Sequence, residues 1–337
     1  MTGGYLYHRR MATAAPAHDA TLRFVSCPDG AFPIGVLGSR RVLPLARTDT
    51  DVVVIDSIAA WPVAPWVRRA VLPPVVVMSH QVPGGIDHGA ARGWLQARLD
   101  VHMYRRARLL MVASETLADD LRARRFPAHC IRIVPPGSDP AMPSGAPPDL
   151  RAGRRAAVLC VANWIPRKGI LDLLDAFARL PADSATLHLV GDEHADRRYR
   201  ARVLARLRDP ALKDRVVAHG PLPAGAVAAM YEGADTFVLP SIKEPYGTAI
   251  GEALAAGLPV VGWDAGNLPH LATHGREGLV VPVGDVAALA AALHRLAEDD
   301  TYRRRLGEGA RRRGRTLPTW DDTARGFYAA LREAAAG

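Results

Sequence analysis

The sequence predicts an α/β protein of two domains, each a parallel sheet wrapped by helices, joined by a proline- and glycine-rich segment. Three observations carry this. Short apolar runs alternate with segments of helical spacing along most of the chain, the pattern of βαβ units. At 337 residues the chain is too long for one ordinary core, and 49% apolar residues suffice to fill two. Near the middle, Pro135-Pro-Gly-Ser-Asp-Pro-Ala-Met-Pro-Ser-Gly-Ala-Pro-Pro148 cannot hold regular structure and separates the two series.

In the first series the runs at 22–26, 52–55, 75–78, 109–113 and 131–134 read as strands. In the second, strands are expected at 157–162, 187–190, 216–218, 236–239, 259–262 and 279–281. Helical spacing falls at 170–180, 199–208, 248–256 and 286–297. The stretch 320–334 places Trp320, Ala324, Phe327 and Leu331 on one helical face. The resulting division is a first domain over 1–138, a linker over 139–153, a second domain over 154–317 and a terminal helix over 318–337. No repeat of solenoid period interrupts it.

Composition narrows the function classes. The net charge is +9, yet only Lys168, Lys213 and Lys243 are lysines in a chain rich in arginine and alanine. Lysine is a compact point charge suited to a phosphate, whereas arginine is a planar fork. No nucleic-acid motif or aromatic-interleaved basic stripe is present, so the charge is assigned to an anionic small molecule or a membrane surface rather than to nucleic acid. Arg303-Arg-Arg305 and Arg311-Arg-Arg313 read as a solvated helix face. Cys27, Cys130 and Cys160 fit neither a disulfide framework nor a zinc site. No apolar run approaches membrane-spanning length and no secretory leader is visible, so a cytoplasmic location is expected.

One stretch carries most of the chemistry: Ser241-Ile-Lys-Glu-Pro-Tyr-Gly-Thr-Ala-Ile-Gly-Glu-Ala-Leu-Ala-Ala-Gly-Leu-Pro-Val-Val261. Glu244 and Glu252 bracket a glycine-bearing turn and the start of an apolar helix. A helix N-terminus offers unpaired N–H groups and the positive end of its dipole, which suits a phosphate. Gly247 lets the backbone approach such a ligand, and Thr248 can cap the helix or donate its hydroxyl. The two carboxylates are left to accept hydrogen bonds from hydroxyls. Phosphate on the backbone and hydroxyls on carboxylates together describe a sugar nucleotide.

The spacing Glu-x7-Glu followed by Ala-Leu-Ala-x-Gly-x-Pro-Val-Val resembles the donor signature of retaining glycosyltransferases of the GT-B fold, family 4 (group 1). Pro166-Arg-Lys-Gly-Ile-Leu-Asp-Leu-Leu-Asp-Ala-Phe177, Leu187-His-Leu-Val-Gly-Asp192, Tyr231-Glu-Gly-Ala-Asp-Thr-Phe-Val-Leu-Pro-Ser241, Gly266-Asn-Leu-Pro-His270 and Gly278-Leu-Val-Val281 extend the resemblance, continuously from about residue 158 to 296. It implies two Rossmann-like domains facing a cleft, with a final helix crossing back to the first. It also implies metal-independent, front-face transfer of a hexosyl unit from a nucleotide sugar to a glycan, lipid-linked or small-molecule hydroxyl, with no cofactor beyond that co-substrate. An epimerase or phosphorylase of the same fold, or a non-catalytic sugar-nucleotide-binding subunit, are the alternatives.

Residue by residue, the resemblance puts the diphosphate on Lys168, Arg167 and the amides around Gly247. It puts the ribose hydroxyls on Glu252 and the transferred sugar on Glu244. Asn163 stands where relatives usually carry an arginine. His80, at the end of an apolar run, matches a histidine that faces the reacting sugar; Asp87, His88 and Asp192 are weaker candidates. Gly3 and Gly4 match the glycine-rich loop that approaches the diphosphate. In the family a strand precedes that loop, and here no residues remain for it, so the first sheet is expected to lack its first strand through a truncated or misassigned start. Trp61-Pro-Val-Ala-Pro-Trp66 with Arg68 and Arg69 reads as a buried hairpin, or as a dock for a greasy acceptor or a membrane surface.

Overall fold

The computed structural model describes residues 3–27, 32–39, 49–67, 73–138 and 146–336. The chain divides into two units, Met1–Gly137 with Pro318–Gly337, and Ser138–Leu317.

The first unit runs α1 (Gly3–Ala14), α2 (Gly35–Ser39), β1 (Val53–Asp56), α3 (Ser57–Val63), β2 (Val75–Ser79), α4 (Ala90–Tyr104), β3 (Leu109–Val112), α5 (Glu115–Ala123) and β4 (Ile131–Ile133). Among the described residues its four strands are all parallel and lie in sequential order β1-β2-β3-β4. Every residue of β2 and β3 is buried, which is why both read as unbroken apolar runs without alternation. Among the described residues no strand precedes α1. The strand expected at 22–26 is irregular chain instead. Leu22 and Val25 are only half-buried and Phe24 is exposed, so the run has too little apolar surface to hold it against a sheet.

The second unit contains β5 (Ala156–Val161), α6 (Ile170–Phe177), β6 (Ala185–Val190), α7 (Arg197–Arg206), β7 (Val216–Gly220), α8 (Ala224–Gly233), β8 (Thr236–Val238), α9 (Thr248–Ala256), β9 (Val260–Trp263), α10 (Leu268–Leu271), β10 (Gly278–Val281), α11 (Val286–Glu298) and α12 (Asp300–Gly314). Among the described residues its six strands are parallel in the order β10-β9-β8-β5-β6-β7. The order reverses at β5, whose neighbours are β6 and β8, and a sheet of this kind receives its ligands beyond the strand ends at that switch point. The later part of the expected linker belongs to this unit: Leu150 is buried in its core.

The last helix, α13 (Trp320–Ala336), packs in the first unit against α1, β2 and β3. It buries Trp320, Ala324, Phe327, Tyr328, Ala330 and Ala334, and the Tyr328 hydroxyl donates to the Met11 carbonyl at 2.6 Å. The segment 61–66 is not a hairpin: residues 61–63 close α3, with Trp61 buried and the Trp66 indole N–H donating to the Val36 carbonyl at 2.7 Å. Trp61 is therefore buried within the unit, and the half-buried Trp66 is tied to it through its indole N–H; Arg68 and Arg69 lie outside the described residues. Among the described residues no helix is long and apolar enough to cross a membrane.

Candidate active site

At the switch point of the second sheet, the chain leaving β5 and the chain leaving β8 are tied together by backbone. Ile242 N donates to the Arg167 carbonyl at 2.9 Å, and the Ser241 hydroxyl donates to the same carbonyl at 3.0 Å. The Arg167 guanidinium returns a bond to the Lys243 carbonyl at 3.0 Å. Between them sits Gly169, at φ 68°, where a Cβ would stand 2.1 Å from the Pro240 carbonyl oxygen. Only glycine tolerates both the conformation and the approach.

This contact brings Lys168 and Glu244 together from positions 76 residues apart in sequence. The Lys168 ammonium donates to Glu244 Oε2 at 2.5 Å, with side chains 15% and 11% exposed. Glu244 is held in turn by Asn267, whose backbone N–H donates to the Glu244 carbonyl at 2.8 Å and whose side chain donates to the Tyr246 carbonyl at 2.7 Å. The pair is shielded enough that its charges attract more strongly than they would in bulk water.

Two residues beyond Tyr246, α9 begins. Its N-cap is Gly247 at φ 92°, not Thr248, and no side chain caps the helix; Thr248 is the exposed first residue. The reason is steric, since glycine reaches that left-handed conformation without strain and so starts the helix itself. The first-turn N–H groups thus receive no side-chain acceptor, and they lie close in sequence to Glu244. Glu252 turns to a different partner. The Tyr231 hydroxyl lies 3.0 Å from Glu252 Oε2 and 3.1 Å from the Ala249 carbonyl, and its one proton serves one of them at a time. Burial pushes the Glu252 carboxyl above the ordinary glutamate value, partly offset by the Tyr231 bond.

Asn163 and Asp192 follow β5 and β6. The Asn163 side-chain oxygen accepts from Asp192 N at 3.0 Å, and Asp192 Oδ1 accepts from His194 N at 2.8 Å. Both side-chain oxygens close turns, so Asn163 does not supply the positive charge that an arginine would.

In the first unit, His80 follows β2 and is the centre of a second cluster. Its Nε2 is 3.6 Å from Asp56 Oδ2, which is also 2.5 Å from His8 Nε2. Asp56 ends β1 and caps α3: its Oδ1 accepts from Ile58 N at 2.7 Å and lies 3.3 Å from the Ser57 hydroxyl. Ser57 Oγ accepts from His80 N at 3.2 Å, joining the ends of β1 and β2. The Tyr7 ring packs edge-on against His80, and Gly4 lies beside it, a Cβ there falling 3.6 Å from its ring. Burial pushes the His80 pKa down to about 4, with His8 adding to the shift and Asp56 opposing it. Burial pushes Asp56 up, but the His8 bond, the neighbouring His80 and the Ile58 N–H outweigh it and leave the carboxyl below the ordinary aspartate value. Gly3 opens α1. Asp87 and His88 are exposed in the loop after His80.

Two family models match the chain, "Glycosyl transferase 4-like domain" over residues 6–137 and "Glycosyl transferases group 1" over residues 148–313. The chain belongs to the group 1 glycosyltransferases of the GT-B fold.

Among its relatives is a GDP-mannose-dependent alpha-mannosyltransferase of Mycolicibacterium smegmatis, 29% identical over 89% of this chain and 79% of the relative. A D-inositol 3-phosphate glycosyltransferase of Xylanimonas cellulosilytica is 31% identical over 64% of this chain and 54% of the relative. Among solved structures, sucrose-phosphate synthase from Thermosynechococcus elongatus superposes with a TM-score of 0.81 at 22% identity, covering 98% of this chain and 93% of that one. Anabaena HepE, solved with UDP and glucose, gives 0.80 at 20% identity, covering 98% and 96%.

Within this glycosyltransferase, then, the second unit unites Lys168, Arg167, Glu244, Gly247 and Thr248 along two adjoining segments, while Glu252 engages Tyr231. Tyr231 and Asn267 stood inside motifs quoted from the sequence but carried no role there, because each acts through an oxygen that only the folded chain brings near. Asp56 and His8 were missed entirely. A charged residue ending the apolar run 52–55 was a usable signal for Asp56; nothing in the sequence singled out His8.

Proposed function

We propose that this glycosyltransferase moves a hexosyl unit from a nucleoside diphosphate sugar to a hydroxyl of a glycan, lipid-linked or small-molecule acceptor, retaining the anomeric configuration. The observation that carries the reading is the Lys168–Glu244 pair at the switch point, beside a helix start with no side-chain cap.

A departing nucleoside diphosphate gains negative charge as the glycosidic C–O bond breaks, and stabilising that charge is the main catalytic demand. Lys168 and the first N–H groups of α9 meet it from the protein, so no metal countercharge is invoked. Glu244 accepts hydroxyls of the transferred sugar near its anomeric carbon, and Glu252 accepts those of the ribose. The acceptor oxygen attacks the face from which the diphosphate leaves, and its proton passes to the departing phosphate oxygen. This differs from a retaining hydrolase, in which a carboxylate forms the covalent intermediate. His80 serves the acceptor side. The relatives' names support sugar transfer: one is GDP-mannose-dependent, and HepE was solved with UDP-glucose.

The test has two parts. A thermal-shift panel of UDP-, GDP- and ADP-sugars identifies the donor, since a ligand of the folded state raises its melting temperature. Turnover with that donor is then compared for Lys168→Ala and Glu244→Gln, and the anomeric coupling of the product is read by NMR. Unchanged turnover in both variants removes the site assignment, and an inverted product removes the retaining mechanism.

A further inference from the structure

Lys168 and Glu244 meet only if the short segment leaving β5 holds its course, and that segment is tied on two sides. On one side lies the chain after β8, bonded through Ile242 N and the Ser241 hydroxyl to the Arg167 carbonyl. On the other lies the chain after β6. Trp164 N donates to the Asp192 carbonyl at 2.9 Å, and Asp192 N donates in return to the Asn163 side chain. A further tie on this side comes from α7. The Tyr199 hydroxyl, on a residue only 4% exposed, accepts from Leu171 N at 3.1 Å. Leu171 is the second residue of α6, so the bond closes one of that helix's orphan first-turn N–H groups. Tyr199 is itself held in place, because Asp196 caps α7 by accepting from Tyr199 N at 2.9 Å.

The place of this phenol matters more than the bond it makes. In an open α/β sheet, the helix after the first strand at the switch point ordinarily offers its N-terminus to a phosphate. Here that helix is α6, which follows β5. Both α6 and α9 start on a left-handed glycine, Gly169 at φ 68° and Gly247 at φ 92°, and neither glycine brings a capping side chain. Tyr199 reaches over from a neighbouring helix to cover the start of α6. Gly169 is also the residue that ends the turn Pro166–Lys168. Whatever holds the first turn of α6 therefore holds the backbone that carries Lys168.

We infer that Tyr199 is a positioning residue for the sugar-nucleotide donor. It occupies the helix start where a diphosphate would otherwise settle. It also fixes the Lys168 turn, so that the diphosphate is gripped by the Lys168 ammonium and the start of α9. Tyr199 thus deepens the donor site proposed above, and its role rests on Lys168 gripping the diphosphate there. A second link between the same two helices supplies a control. Arg206 Nε donates to Asp175 Oδ1 at 2.5 Å, towards the other end of α6, and ties α7 to α6 away from the Lys168 turn.

The experiment measures binding of UDP, GDP or ADP to the full chain by calorimetry, using whichever raises the melting temperature most. Tyr199→Phe keeps the ring's packing and removes the acceptor oxygen. It should weaken nucleoside diphosphate binding about 5-fold or more, a loss well inside what ~1 Å of misplacement produces. Arg206→Gln should leave binding unaltered. Lys168→Ala should weaken binding as well, and in that background Tyr199→Phe should have no further effect, because its influence passes through the lost ammonium. A general loosening of unit 2 would instead add to the Lys168→Ala loss. Hydrogen exchange of the peptide containing Leu171 should quicken in Tyr199→Phe, which reports the broken tie directly. Binding unchanged in Tyr199→Phe but weakened in Lys168→Ala overturns this inference and leaves the donor site standing. Additive losses in the double variant overturn it too. Binding unchanged in Lys168→Ala, or absent for all three nucleotides, removes both the inference and the donor site it rests on.

Discussion

Removing the Lys168 charge tests the site at its most stringent point. In Lys168→Met the stem's packing is kept and the ammonium is lost, leaving Glu244 at 11% exposure facing no cation. Breaking a fully buried ion pair costs about 3–5 kcal/mol, whereas exposed pairs are worth under about 1. With the two groups 15% and 11% exposed, a value between these limits applies, about 2–3 kcal/mol for either single change. Much of that cost is the stranded partner rather than the attraction itself. The double variant Lys168→Met/Glu244→Gln should therefore be less damaged than the sum of the singles, with a coupling of about 1.5–2 kcal/mol. A two-unit chain need not unfold in one step, so the free energies are best taken from hydrogen exchange of peptides spanning β5 and β8. If the singles add to within about 0.5 kcal/mol, the two groups do not interact and the close contact plays no part in stability. A second readout separates architecture from binding: loss of the thermal shift from a nucleotide sugar in the double variant, while β5 protection recovers.

Other outcomes follow from the same geometry. Gly169→Ala places a methyl 2.1 Å from the Pro240 carbonyl at positive φ, so it should cost unit 2 at least about 2 kcal/mol in hydrogen exchange while leaving β2 and β3 unaffected. Tyr328→Phe removes the buried bond to the Met11 carbonyl and should destabilise unit 1 by about 1 kcal/mol, read the same way. His188 and His219 stack with ring nitrogens 2.9 Å apart, and burial lowers both pKa values. Because the folded state favours their neutral forms, their contribution is whole above the unfolded imidazole value of about 6.5 and is lost as pH falls below it. Melting of unit 2 should thus drop between pH 7.5 and 5.5, and His219→Phe should flatten that dependence. A melting temperature independent of pH in the wild type would remove this account.

The sheets were legible because their strands are buried on both faces: Ala156–Val161 and Val75–Ser79 announce themselves as unbroken apolar runs. Helix α9 was legible to the residue, since Gly247 and Gly257 punctuate it at both ends. The run at 22–26 misled because a few apolar residues satisfy a strand pattern without showing whether a sheet will receive them. In the site, Lys168 and Glu244 were visible through their spacing to glycine and proline, which are local signals. That they touch was not, because the contact depends on β8 pairing with β5 across the reversal of strand order. The His8–Asp56–His80 cluster was invisible for the same reason: its members stand 48 and 24 residues apart, and only the pairing of β1 with β2 and the packing of α1 unite them.

Helix α13 has a consequence for how the chain is made. Unit 2 is one continuous stretch, Ser138–Leu317, whereas unit 1 draws its final layer from residues after Pro318. During synthesis the earlier half therefore leaves the ribosome with Tyr7, Met11 and the β2–β3 face still uncovered, and the later half is free to fold first. Trimming the final twenty residues would not shorten a tail. It would strand the part of the molecule born earliest in an unfinished state, prone to associate with other copies of itself.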